Sequence, residues 1–371
     1  MKKSLYILAA AAIVAGCASN DLRNDVVKDS PIGFTKVYVE KNTRAYTDVN
    51  SLEQPNNTFG VFGYKTVGTG SSAVESKVFG ERDGETAGVK VTFGTDWTYS
   101  PLRYWDKVAD HYDFYAYAPH KDQFTATSVT LASNDGTTFA INKFRQTTSQ
   151  STMVDLLTDL TSKVNYTSKE NDVQFAFSHI LSNINIRMAV GADLKGDEAN
   201  NPVTVTSVSV GAIKMDGSYA YSSGYKWTLD DPQVTAATTF NATEVSTGIV
   251  FASGSLKAIS ADKTGGGSLD AALVDVNASA VKGLTDLLFI PQTVIDDYVI
   301  NVTYKIQNEV FSKTIKLNEF KKSTDSSVSS TIWEPGKRYT YVLIIGPTPI
   351  LFDVASVGDW ADGGTYTYTI Q

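Results

Sequence analysis

The chain has 371 residues, 42% of them hydrophobic, and its 32 lysines and arginines stand against 40 aspartates and glutamates, giving a formal net charge of −8. That length supports two domains with substantial cores, and a negative balance without a basic stripe excludes nucleic acid as a partner. One cysteine rules out a disulfide within the molecule, and the three histidines, His111, His120 and His179, are far apart without a local carboxylate or second histidine at ligand spacing, so zinc chemistry and a Ser/His/Asp triad lack their parts.

Met1-Lys2-Lys3 is a short basic start, Leu5 to Val14 an almost unbroken apolar run, and Ala15-Gly16 places two small residues before the lone cysteine, Cys17. This reads as an export signal over residues 1–17 ending in a lipobox; the run is shorter than the roughly 20 apolar residues a membrane span needs. In lipoproteins of this pattern the cysteine takes a diacylglyceryl thioether, becomes the new N-terminus and is N-acylated. Several acyl chains anchor firmly, since each buried methylene adds about 0.8 kcal/mol. Ala18 to Ser30 is polar and charged and reads as a tether. Ile32 to Glu40 is strand-like: Ile32 and Phe34 face one way and Val37 and Val39 the other unless a bulge resets the phase, with Tyr38 on the original face. In the following Lys41-Asn42-Thr43-Arg44-Ala45, Arg44 is either an ordinary linker arginine or a processing site.

Beyond residue 45, short alternating runs rich in Thr, Val and Tyr are separated by Asn, Asp, Gly and Pro clusters, which makes the chain all-β. Predicted strands include Asn57 to Tyr64, Tyr112 to Tyr117, Val173 to Phe177, Asn183 to Val190, Val203 to Val210, Leu287 to Ile290, Tyr298 to Ile306, Val310 to Leu317 and Tyr339 to Ile345. One short helix is predicted, Met153 to Leu160, because Ser151 or Thr152 can cap it and Met153, Leu156, Leu157 and Leu160 share a helical face. Val67 to Gly88 and Ala258 to Asp270 read as surface loops; neither has the Lys-Ser/Thr that follows the glycines of a P-loop. The polar run Thr167 to Asp172 marks a boundary between domains at 45–172 and 173–371.

The C-terminus alternates strictly, with Tyr366, Tyr368 and Ile370 on one face and threonines on the other. Such a strand either pairs with a sheet edge of its own domain or is donated to a neighbour, gaining main-chain hydrogen bonds and side-chain pockets there. The five tryptophans, Trp97, Trp105, Trp227, Trp333 and Trp360, lie beside strands or turns, where core packing competes with stacking on sugar rings. Asp230-Asp231 and Asp296-Asp297 sit in turn-like contexts and read as solvated loop residues rather than catalytic pairs.

In order along the chain, Ala15-Gly16-Cys17, Thr43-Arg44-Ala45, Phe59 to Tyr64, Trp97, Tyr104-Trp105, Asp113 to Pro119, Phe175 to Leu181, Leu288 to Gln292, Trp333 to Tyr339 and Val357 to Trp360 resemble the fimbrillins of the type V pilus system. The resemblance covers nearly the whole chain. It implies two transthyretin-like β-sandwich domains, an outer-membrane lipoprotein precursor and an arginine-specific protease that cuts between Arg44 and Ala45. Residues 18–44, tether and first strand, then leave together, and an apolar groove opens for another subunit's C-terminal donor strand, carried onto Tyr366, Tyr368 and Ile370 and the preceding Leu351 to Val357. It also implies a cell-surface fimbrium built from pilin subunits for adhesion, with no cofactor and no catalytic or metal residues. A surface-anchored glycan-binding lipoprotein is the alternative.

Overall fold

The computed structural model describes residues 30–35, 37–39, 52–124, 129–133, 138–147, 152–165, 173–190, 203–211, 213–220, 224, 226–229, 249–250, 274–275, 287–306, 309–322, 325–329, 332–345 and 361–367. Their elements are strands, numbered along the chain, and three short 3-10 turns. The protein is all-β. The first sheet runs in the order β1 (Tyr38–Val39), β10 (Ala176–His179), β9 (Leu157–Asn165), β6 (His111–Ala118), β2 (Thr58–Val67), β4 (Val89–Phe93) and β5 (Trp97–Thr98), with β3 (Val74–Phe79) also paired to β2.

Alternation along its central strands splits their side chains between two cores. Phe59 and Val61 of β2 and Tyr112, Phe114 and Ala116 of β6 enter one core, while Phe62, Tyr64, Tyr115 and Tyr117 enter another on the opposite face. Two glycines of β2 make room for rings. A Cβ on Gly60 would lie 2.3 Å from the Tyr117 ring, and one on Gly63 would lie 2.9 Å from Phe79 and 3.0 Å from Phe114.

The second of these cores is covered by a four-stranded sheet, β14 (Lys226–Leu229), β13 (Asp216–Ala220), β8 (Ala140–Arg145) and β7 (Thr130–Ala132). It joins strands from both halves of the chain through the β8–β13 ladder. A third core lies between two further sheets. In one, β11 (Ser182–Val190) runs parallel to β24 (Lys337–Ile345), which runs parallel to β25 (Ala361–Thr367). There β16 (Val274–Asp275) and β17 (Leu287–Phe289) flank β11, and β21 (Lys321–Lys322) with β22 (Asp325–Ser329) continues beyond β25. The other orders β15 (Ile249–Val250), β12 (Val203–Gly211), β19 (Val299–Ile306) and β20 (Glu309–Lys316). A two-stranded piece, β18 (Gln292–Thr293) with β23 (Ile332–Trp333), sets Trp333 into the same core.

Two sequence expectations are corrected. Met153 to Leu160 is not a helix: β9 begins at Leu157 and the residues before it belong to no helix. Val154 to Asp159 are buried without a break, because β9 lies between β6 and β10, and Leu156, just before it, and Leu157, its first residue, enter different cores. Double-sided burial reproduces the apolar spacing of a helix. Val67 to Gly88 is not all loop: β3 pairs antiparallel with β2 and buries only Phe79 fully, so its solvent-facing polar residues hide a strand. The boundary at 169–172 and the Ala258 to Asp270 loop lie outside the described residues. On the C-terminal side of that boundary, Ala176–His179 still pairs with the first sheet.

Candidate functional site

Residues 30–39 lie across the first core and connect two separate stretches of main chain. On one side Trp105 N donates to Ser30 O at 3.1 Å and Ile32 N to Arg103 O at 2.8 Å, around an antiparallel bridge between Pro31 and Tyr104. On the other, Val173 N donates to Gly33 O at 2.9 Å and Thr35 N to Val173 O at 3.2 Å. A parallel bridge joins Phe34 to Val173, and β1 then pairs Tyr38 with Ala176 and Val39 with Phe177. From Phe34 to Tyr38 the segment takes one step more than its partner takes from Val173 to Ala176. This extra residue is the bulge that the sequence left open, and it resets the phase: Ile32, Phe34, Val37 and Val39 are all buried.

The side chains go deep. Ile32 and Val37 are fully buried, and Phe34 is 2% exposed. The Phe34 ring has five aromatic neighbours: Phe59 at 5.9 Å, Phe79 at 5.6 Å, Tyr99 at 5.5 Å, Phe114 at 6.4 Å and Phe175, stacked, at 5.6 Å between centroids. Gly63 is the residue over which Phe79 and Phe114 close on this ring. Burying four apolar side chains at about 1.5–3 kcal/mol each gives an upper bound of roughly 6–12 kcal/mol for the hold of this segment, before its ordering costs.

Polar groups brace the groove. Tyr99 Oη donates to Ile32 O at 2.7 Å and accepts from Arg103 N at 3.2 Å. Burial raises its phenol above the ordinary tyrosine range, so it stays a donor. Arg103 is 5% exposed: Nη2 meets Glu85 Oε1 at 2.6 Å, Nε donates to Val78 O at 3.0 Å and Nη1 to Pro101 O at 2.7 Å. The guanidinium also lies 5.9 Å from the Phe79 ring centroid. The wall that pairs with Ser30 to Ile32 is thereby tied to the turn between β3 and β4. Sequence reasoning missed Tyr99, Arg103 and Glu85, since nothing but long-range pairing makes them neighbours.

Of the predicted site residues, Cys17, Arg44, Ala45, Tyr368 and Ile370 lie outside the described residues. Tyr366 is in β25, opposite Tyr341 on one side and Lys322 on the other. The C-terminal strand thus pairs within its own sheet, and a register shift between Arg338 and Thr340 accommodates Gly363-Gly364. Trp97, Trp105 and Trp333 are core residues, and half-buried Trp227 donates to Ile180 O at 2.6 Å; Trp360 lies outside the described residues. The histidines do have carboxylate partners, contrary to the sequence reading. His111 Nε2 lies 3.2 Å from Asp113, His120 Nδ1 3.0 Å from Asp122, and buried His179 Nδ1 2.9 Å from Asp155. Two of these pairs are formed two residues apart in the chain and the third by β10 reaching the start of β9. Asp296 and Asp297 are exposed in a turn, as expected. Among the described residues there is no group of three or more metal-ligating side chains.

A fimbrillin-like family model matches residues 43–360. A crystal structure of a fimbrial protein from Bacteroides vulgatus shares 19% identity over 89% of this chain and 99% of its own, with a TM-score of 0.53. A putative cell adhesion protein from Bacteroides uniformis shares 14% over 90% and 98%, with a TM-score of 0.47. No curated protein matches the chain. The all-β architecture agrees with the first of these structures, and the family match spans both halves: this chain belongs to the fimbrillin-like family.

Proposed function

We propose that the protein is a structural pilus subunit for surface adhesion. It is exported as a lipoprotein acylated at Cys17, carried to the cell surface, cut between Arg44 and Ala45 by an arginine-specific protease, and polymerised by donor-strand exchange. The observation that carries this reading is the position of residues 30–35 and 37–39: the described residues N-terminal to the proposed cut form one segment that plugs an aromatic groove. Losing it would take from Arg103 O, Trp105 N and both main-chain groups of Val173 the hydrogen bonds they make to the segment, above an apolar trough. Such an open edge associates with any suitable strand, and an extended segment from another subunit satisfies both its hydrogen bonds and its pockets. Head-to-tail contacts of this kind do not close, so they propagate a filament. Membership of the fimbrillin-like family and the fold shared with a fimbrial protein from Bacteroides vulgatus support the assignment.

The test is the N-terminus of the protein sheared from its native cell surface, read by mass spectrometry. Ala45 is the expected first residue. Acylated Cys17 as the only species would overturn processing and favour an anchor subunit or the lipid-tethered glycan-binding alternative.

A further inference from the structure

A chain that starts at Ala45 keeps five arginines, Arg82, Arg103, Arg145, Arg187 and Arg338. The last three are held in ladders: Arg145 of β8 pairs with Asp216 of β13, Arg187 of β11 lies between Asp275 of β16 and Val342 of β24, and Arg338 of β24 lies between Asn183 of β11 and Asp362 of β25. Arg103 is buried in the wall of the groove. Arg82 differs from them all, being exposed in the turn between β3 and β4 and outside any strand. By exposure alone, the bond between Arg82 and Asp83 is the one most open to an enzyme that cuts after arginine. Exposure is not sufficient, however, because proteolysis inside a folded protein goes through a locally opened state in which the chain can be drawn out straight.

This turn is not free to straighten. Glu85 N donates to Arg82 O at 2.9 Å and Gly88 N to Glu85 O at 2.8 Å, while Gly84 at the tip takes a φ of +88°, far from the negative values of an extended strand. The Glu85 carboxylate then ties the turn to the rest of the sheet. Its Oε2 accepts from Gly80 N at 3.2 Å and from Arg82 N at 3.4 Å, and its Oε1 meets Arg103 Nη2 at 2.6 Å. The Arg103 guanidinium is in turn fixed by Val78 O and Pro101 O. At the far side of the turn, Tyr117 Oη donates to Ala87 O at 2.7 Å. A cleft that grips the chain on both sides of the bond needs Gly80 to Glu85 drawn out, and those are the two ends that the carboxylate joins. Drawing them out also strips Arg103 of its counter-ion, and a cation that is 5% exposed loses heavily when its partner leaves. We propose that Glu85 is a lock on a second arginine site: it holds the bond between Arg82 and Asp83 in a closed turn, so that an arginine-specific protease spares the body of the chain while it cuts at the linker. The inference rests on the processing reading and adds to it the residue that confines processing to one bond.

The test is digestion of the purified full chain with an arginine-specific endoprotease, the new N-termini being read by mass spectrometry over time. Wild type is expected to be cut after Arg44 and to stay whole beyond it. Glu85→Ala is expected to gain one cut, between Arg82 and Asp83, at least about a hundredfold faster than wild type shows there. Glu85→Gln keeps the size of the side chain and one of its oxygens without the charge, and should gain the same cut at an intermediate rate. Arg82→Lys in the Glu85→Ala chain should abolish it. Wild type cut after Arg82 as fast as after Arg44 would overturn the lock, and so would a Glu85→Ala chain that resists at that bond. A chain opened as a whole is cut after Arg145, Arg187 and Arg338 together. That pattern in both Glu85 variants would also overturn the proposal, because Glu85 would then support the fold rather than guard one bond. If Arg44 stays uncut while Glu85→Ala opens the turn, the lock stands and processing at the linker falls. The wild-type comparison uses unsubstituted protein and does not depend on the variants folding.

Discussion

The first and last described segments of the chain are held in opposite ways. Residues 30–39 lie at the margin of their sheet, where β1 has one described neighbour, and their main-chain bonds are divided between two short stretches at 103–105 and 173–177. Their hold comes from side chains, above all from Phe34 among five aromatic rings. β25 instead lies inside its sheet, paired with β24 and β21. A plug held by pockets at an edge can be replaced by any strand with the same side chains in the same phase, whereas a strand inside a sheet is replaced only by dismantling two ladders. The difference means that the N-terminal segment can leave its groove without dismantling a sheet, whereas β25 cannot leave without breaking two ladders.

The strongest way to break this comparison is to empty the deepest pocket. Phe34→Ala in the uncut chain should lower the stability of the first sheet by about 3–5 kcal/mol, the usual cost of truncating a buried phenylalanine. Denaturant unfolding followed by the fluorescence of Trp97 and Trp105, both in that core, reads the effect. A loss below about 1 kcal/mol would mean that the segment is held by its main chain after all. Next in size is the converse test at the other end. Tyr366→Pro removes a main-chain donor from a residue with partner strands on both sides and should cost about 1–3 kcal/mol through a ladder partner left unsatisfied. An unchanged unfolding midpoint would show β25 to be as replaceable as the plug.

Much of this contrast was legible in the sequence, and the rest failed for physical reasons. All-β character and the predicted strands came from alternation, which holds wherever one face of a strand is solvated or two cores accept alternate residues, as in β6. The same rule misread Met153 to Leu160, because burial on both faces erases the period that separates strand from helix. Ile32, Phe34, Val37 and Val39 were recognised as apolar, but the side on which the second pair falls depends on one residue of register against Val173 to Ala176, which only pairing fixes. The polar braces were not legible at all. Tyr99, Arg103 and Glu85 look like loop residues until the walls of the groove meet.

The smallest effect sharpens the comparison furthest, because it isolates one side-chain polar group among the contacts that hold the segment. Tyr99→Phe keeps the ring beside Phe34 and removes the hydroxyl that donates to Ile32 O and accepts from Arg103 N, so it should cost about 1–2 kcal/mol at pH 7, the net worth of two hydrogen bonds. The sign of its pH dependence follows from burial, which raises the folded-state phenol above the ordinary value. As pH rises through the unfolded value near about 10, the unfolded state loses this proton first. The contribution of the neutral phenol is therefore complete below that pH and declines as pH climbs toward the raised folded value. The stability difference between wild type and Tyr99→Phe should accordingly be constant from neutral pH to about 9 and shrink above 10. Other buried tyrosines, Tyr117 and Tyr298 among them, have raised phenols too, but they titrate alike in both proteins and cancel in the difference. A gap that stayed constant through pH 11 would mean that the phenol ionises equally in both states, and Tyr99 would then be a ring in the cage and nothing more.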